Sequence, residues 1–166
     1  MPFKVATYNM LATAYVKPDY FPGVPEELLR PEWRVPALVR HVEGLDADIL
    51  CLQEVEPDVF AALEQRLGSL GYAGRYERKG KNKPDGCATF FRNRRFALKE
   101  ARRLEYWDRE RGPDDHSGHV ALLLAVERDD HRLGVANTHI RWQSPDTPRD
   151  QNVGLRQVRE LVEACQ

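Results

Sequence analysis

The chain has 166 residues, of which 42% are apolar and 31% charged, with a formal net charge of −1; this describes one globular domain and excludes a disordered or fibrous chain. The longest unbroken aliphatic run, residues 120–126, is seven residues long, far short of the roughly 20 that a membrane-spanning helix needs. The opening MPFKVATYNM alternates like a strand and lacks the apolar middle of a secretion signal, so a soluble, cytoplasmic protein with no membrane partner is expected.

In chain order, residues 3–9 read as a strand. Residues 10–31 carry Pro18, Pro22, Gly23, Pro25 and Pro31 and read as a long loop. A helix is expected to open near Pro36, a residue tolerated in a first turn. It shows Val35, Leu38, Val39, Val42 and Leu45 at helical spacing and leaves at Gly44. Residues 48–55 form a strand whose continuous apolar run, Ile49 to Leu52, predicts burial on both faces. The next helix starts at Pro57, buries Val59, Phe60, Leu63 and Leu67, and ends before Gly68 and Gly71. Four β segments follow at 72–78, 86–92, 96–106 and 120–127. A fifth, 133–140, comes after the turn Asp129-Asp130-His131. A last helix over about 152–164 is expected to bury Leu155, Val158, Leu161 and Val162. Cys51, Cys87 and Cys165 match neither a disulfide framework nor a zinc site and read as buried free thiols.

Charge is unevenly spread. Residues 43–64 hold seven acidic and no basic residues, whereas residues 75–103 hold eleven Lys or Arg against three acidic residues. Carboxylates that hold a metal beside cations that hold a phosphate backbone would give this pattern, and so would two solvated faces of opposite sign. Three polar clusters end apolar strands: Tyr8-Asn9, Gln53-Glu54 and Asn137-Thr138-His139. Strand ends in such folds converge on one rim, where a carboxylate can hold Mg²⁺, an amide can orient a phosphoryl oxygen and a histidine can donate to it. That set suits metal-assisted phosphodiester cleavage. Singly, each has a plainer reading: Glu54 as a solvated strand exit, Asn9 as a turn residue, His139 as a satisfied, partly buried imidazole. The segment 79–86 reads as a hairpin loop turning at Asp85-Gly86, or as a cationic loop that brings Lys83 or Arg92 near phosphates. His116 and His119, with Asp114 and Asp115, sit in a Gly-Pro loop with no helix to fix them, a poor basis for a metal site.

The blocks KVATYNMLA, DADILCLQEVE, KPDGCATFFR and VANTHIRW resemble, in order and spacing, those of the endonuclease/exonuclease/phosphatase superfamily, which includes deoxyribonuclease I. KPDGCATFFR and NTHIRW most resemble the branch of the mRNA deadenylases, nocturnin and the Angel proteins. The resemblance spans residues 3 to about 162. It implies an α/β fold: a two-sheet β-sandwich flanked by helices, deoxyribonuclease I-like, formed by a single domain over residues 1–166. It implies a Mg²⁺-dependent phosphodiester hydrolase, with Mn²⁺ as the alternative metal, most like an RNA 3′-exonuclease. By motif, Glu54 resembles the metal-binding glutamate, Asn9 the asparagine that orients the phosphate, and His139 a histidine contacting it. Lys83, Arg92 and Asn137 are further candidates for substrate contact. Alternatives within the resemblance are a nucleotide phosphatase, a DNA endonuclease and a non-catalytic nucleic-acid-binding fragment.

The chain departs from that pattern in lacking the Gly-Asp-x-Asn and Ser-Asp-His blocks. His119 also stands where many deadenylase-like members carry Asn before Val-Ala. An N-terminal portion of the fold, catalytically impaired by itself, is therefore expected. Its exposed edges and apolar faces would favour pairing with a missing C-terminal half or self-association.

Overall fold

The computed structural model describes residues 2–107, 112 and 115–166. Among these residues seven strands and four α-helices follow one another as β1 (Val5–Asn9), α1 (Glu26–Leu29), α2 (Pro31–Gly44), β2 (Ile49–Val55), α3 (Pro57–Ser69), β3 (Tyr72–Arg78), β4 (Gly86–Arg92), β5 (Ala97–Trp107), β6 (His116–Arg128), β7 (His131–Thr138) and α4 (Val153–Ala164). The strands form a four-stranded sheet of order β1-β2-β4-β3 and a three-stranded sheet of order β5-β6-β7. Among the described residues β1 and β2 run parallel and the other pairs are antiparallel.

Side-chain alternation along β2 builds the layers. Leu50 and Leu52 point to α2 and α3, joining Val42, Val59, Leu63, Leu67 and Phe90. Ile49 and Cys51 point the other way, into the space between the sheets, with Phe91, Leu122, Leu124 and Val126. Both faces of β2 are thus buried, as its unbroken apolar run requires, and each such aliphatic side chain contributes about 1.5–3 kcal/mol. A third cluster places Leu161 and Ala164 of α4 against Tyr106, Ala121 and Leu123 on the outer face of the second sheet.

Several expectations are corrected. The segment expected as loop holds two 3-10 turns (Thr13–Tyr15 and Pro18–Tyr20) and the one-turn α1. Helix α2 opens at Pro31, whose fixed φ suits a first helical position, and carries Pro36 in its interior. Strand β6 starts at His116, so His116 and His119 are strand residues rather than loop residues. On α4, Leu155, Val158 and Val162 are exposed, and the buried positions are Val153, Gly154 and Gln157. That helix is docked at both ends, by Leu161 and Ala164 on the second sheet and near its start by the Gln157 carboxamide oxygen, which accepts from Arg141 N at 2.8 Å. Cys51 and Cys87 are buried free thiols, their pKa values pushed up by burial to about 11 and about 12. Cys165 is exposed.

Candidate active site

The site begins with an irregularity. The β2–β4 pairing shifts between Gln53 and Val55, and Glu54 occupies the gap with φ 54°. An extra residue in a strand bends it and re-aims its side chain. Here the Glu54 carboxylate turns toward the end of β1 and accepts from Asn9 Nδ2 at 2.9 Å and Ala12 N at 3.0 Å. Asn9 Oδ1 accepts in turn from Leu11 N at 2.8 Å. His139, one residue beyond β7, places Nδ1 3.7 Å from Glu54 Oε1. Positions 9 and 54 belong to one sheet and 139 follows the other, so the site lies where the rims of the two sheets meet.

Below this trio lies a charged network that no spacing in the sequence points to. Lys79, just past β3, donates to Asp85 Oδ2 at 2.6 Å, and its Nζ lies 3.4 Å from His139 Nδ1. Tyr15 OH donates to the other Asp85 oxygen at 2.7 Å. Lys79 is 6% exposed and Asp85 0%, so both charges are buried and depend on each other. The pKa of His139 is lowered, first by burial and then by the Lys79 ammonium, while Glu54 and Asp85 pull it the other way. Burial and the Asp85 hydrogen bond raise the Tyr15 hydroxyl well above its ordinary value. Glu56 accepts from Thr13 N at 2.8 Å and Ala14 N at 3.2 Å, and Arg34 donates to Leu11 O at 2.7 Å. Together they hold the segment that presents Tyr15.

The remaining predicted contacts divide. Asn137 is 2% exposed. Its Nδ2 donates to Leu52 O, Ala88 O and Thr89 Oγ1, and its Oδ1 accepts from Gln53 Nε2 at 2.8 Å. This amide ties β7 to the first sheet beneath the rim, so the expected direct substrate contact is corrected to a role in support. Arg92 is at the wrong end of β4. It pairs with Asp46 and lies 4.6 Å from the Tyr72 ring centroid. Cys87 is the β4 partner of Gln53, and Arg92, five residues on, is about 17 Å away along the strand. Lys83 stays on the site's side, in the loop between β3 and β4, half-buried.

That loop turns at Lys81 and Asn82, with φ 54° and 57°, not at Asp85-Gly86. Gly86 already belongs to β4, where an added Cβ would lie 2.1 Å from Glu77 O; glycine is needed there for close approach of the strands. Gly80 N donates to Gly118 O at 2.8 Å, which fastens the loop to β6 in the second sheet. Much of the basic stretch is paired: Arg95 with Asp48, Lys99 with Glu127, Arg103 with Glu77 and Lys81 with Asp115. Asp114 lies outside the described residues. His116 packs on Trp107 with ring centroids 3.9 Å apart, and Ser117 Oγ lies 2.6 Å from His119 Nδ1.

Among the described residues no three His, Cys, Asp or Glu side chains gather as a metal cage. Glu54 nonetheless suits a cation that keeps most of its waters. A carboxylate offers about four acceptor positions, Asn9 and Ala12 occupy one each, and Mg²⁺ is commonly held by one or two carboxylates plus water and substrate phosphate.

The Endonuclease/Exonuclease/phosphatase family profile matches residues 6–163. The chain belongs to that family of hydrolytic enzymes. Its two sheets flanked by helices are the family's sandwich. Mouse Protein angel homolog 2 is 30% identical over 96% of this chain and 30% of its own length. Carbon catabolite repressor protein 4 homolog 4 of Arabidopsis thaliana is 40% identical over 96% of this chain and 46% of its own length. Among solved structures, ANGEL2, a 2′,3′-cyclic phosphatase in complex with adenosine-2′,3′-vanadate, superposes with a TM-score of 0.79 at 30% identity, covering 94% of this chain and 45% of that one. The chain spans less than half the length of these relatives. Among its described residues no helix is long and apolar enough to cross a membrane.

Proposed function

We propose that this chain carries part of the active site of a Mg²⁺-dependent phosphodiester hydrolase that works at RNA 3′ ends, as a deadenylase-like 3′-exonuclease does. The observation that supports this reading is the meeting of Asn9 on β1 and His139, just past β7, at the Glu54 carboxylate on β2, at 2.9 Å and 3.7 Å. Glu54 would hold Mg²⁺, or Mn²⁺ in its place. A divalent cation bound there supplies positive charge to a phosphoryl oxygen.

The protein's own groups do the rest. Asn9 turns the Glu54 carboxylate with one Nδ2 hydrogen and has a second to offer a phosphoryl oxygen. His139 is biased toward its neutral form by burial and by Lys79 and donates through the ring nitrogen that faces away from Lys79. Lys83 steers the backbone of the substrate, and Asn137 supports the rim through Gln53. The Gly-Asp-x-Asn and Ser-Asp-His blocks are not found in these residues. Each missing acid–base group costs about 10²- to 10⁴-fold in rate, so the chain alone should bind substrate and turn it over slowly or not at all.

The test is a binding and cleavage assay on an oligoadenylate with Mg²⁺ titrated in. The reading predicts Mg²⁺-dependent binding that EDTA and Glu54→Gln both remove. Activity or Mg²⁺-dependent binding that survives Glu54→Gln would overturn the metal assignment. Metal-independent, salt-sensitive binding would favour a nucleic-acid-binding role without cleavage. The likeness to ANGEL2 favours a second reading, hydrolysis of a 2′,3′-cyclic phosphate at an RNA end. Oligoadenylate, single-stranded DNA and a 2′,3′-cyclic nucleotide assayed side by side separate the two from each other and from a DNA-directed enzyme.

A further inference from the structure

We infer that Lys79 is a positioning residue that fixes the tautomer of His139. The inference rests on the phosphate-contact reading of His139 and adds the device that makes the contact one-directional. A lysine ammonium has three donors and no acceptor. With Nζ 3.4 Å from His139 Nδ1, that nitrogen must present its lone pair, and the single proton of the neutral ring resides on Nε2. The Glu54 carboxylate is the competing influence: its Oε1 lies 3.7 Å from the same Nδ1 and would draw a proton onto it. Lys79 decides the contest, because a proton on Nδ1 would point at the ammonium.

Lys79 is itself held. Its side chain is 4% exposed and Asp85's is 0%, and they meet at 2.6 Å. Tyr15 OH occupies the second Asp85 oxygen, so the carboxylate cannot rotate away from the lysine. The order Tyr15, Asp85, Lys79, His139 joins a 3-10 turn, a loop, the end of β3 and the end of β7 into one arrangement. So deep a lysine is shielded from solvent and poorly placed to meet a substrate phosphate itself; it acts through the imidazole. The other ring nitrogen is left as a donor for an anion.

The experiment is ¹⁵N NMR of the histidine side chains of the whole chain at about pH 8, above the ordinary imidazole range, with His139→Gln identifying the His139 signals among the five histidines. The native protein should show His139 with its proton on Nε2. Lys79→Met combined with Asp85→Asn removes both buried charges together, which avoids leaving one unpaired. In that variant the proton should pass to Nδ1, toward Glu54, in a substantial fraction of molecules, and Lys79→Arg should restore the native signature. Inorganic phosphate titrated into the same samples should bind the double variant about 2- to 10-fold more weakly, the factor carried by one hydrogen bond. A native ring already protonated on Nδ1, or a double variant with an unchanged tautomer, overturns the inference. A tautomer change with no phosphate binding in any sample upholds the inference and instead overturns the phosphate role of His139.

Discussion

The β2–β4 pair carries ionic groups at both ends, and the two ends behave differently. At the far end Asp48 accepts from Lys4 N at 2.9 Å and Arg95 Nη1 at 2.6 Å, with Arg92 Nε at 3.7 Å. Burial works against its charge, yet the Lys4 amide and the Arg95 and Arg92 guanidiniums hold its carboxyl below the ordinary range. Glu54 at the near end is also bound twice, but by neutral donors, the Asn9 carboxamide and the Ala12 amide. The nearby ammonium of Lys79 is engaged with Asp85, and His139 is biased toward its neutral form. Both carboxylates are held by hydrogen bonds, but only the far one is neutralised by its surroundings. An oriented, uncompensated carboxylate at a rim is what a divalent cation requires; a compensated one locks a strand in place.

The comparison can be broken in four ways. The largest effect should come from Lys79→Met alone, which strands Asp85 in the interior and should cost about 3–5 kcal/mol; urea unfolding would measure it, and Asp85→Asn in the same chain should recover most of the loss. Glu54→Gln should lower Mg²⁺ affinity by at least the roughly 100-fold that even an outer partner of a metal site can cost; calorimetric titration reads this directly. Arg92→Ala should leave Mg²⁺ and oligoadenylate binding unchanged and reduce stability by about 1 kcal/mol through loss of its cation–π contact with Tyr72. An effect on binding would show the far end to be part of the site after all. The smallest is a pH effect. Because the folded state lowers the pKa of His139 from 6.5, the unfolded chain binds more protons once the pH falls below that value. Stability therefore declines on acidification, and His139→Gln should flatten that part of a melting-temperature profile.

Local patterns carried much of this into view. The unbroken Ile49–Leu52 run announced a strand buried on both sides, and the polar residues that end β1, β2 and β7 announced a shared rim. Other features depend on distant chain. Lys79 and Asp85 are six residues apart, and their pairing follows from a loop that turns at Lys81-Asn82 and is fastened to Gly118; neither is visible in residue types. The places of Asn137 and Arg92 are hidden from the sequence for the same reason. A polar residue at a strand end can face the rim, the space between the sheets or the opposite edge, and only the register decides. The apolar stripe of α4 is a further case. Helical periodicity shows that Leu155, Val158 and Val162 share a face, but not what stands opposite it, and here they remain exposed.

The sheet orders place β1 and β7 outermost, one in each sheet, and these are the strands that deliver Asn9 and His139. Among the described residues neither has a strand partner on its outer side, so each presents an edge row of main-chain donors and acceptors that leads toward the candidate site. A segment added at either edge would lie along the strand that leads to Asn9 or to His139. The two outer edges and the candidate site would then share one surface.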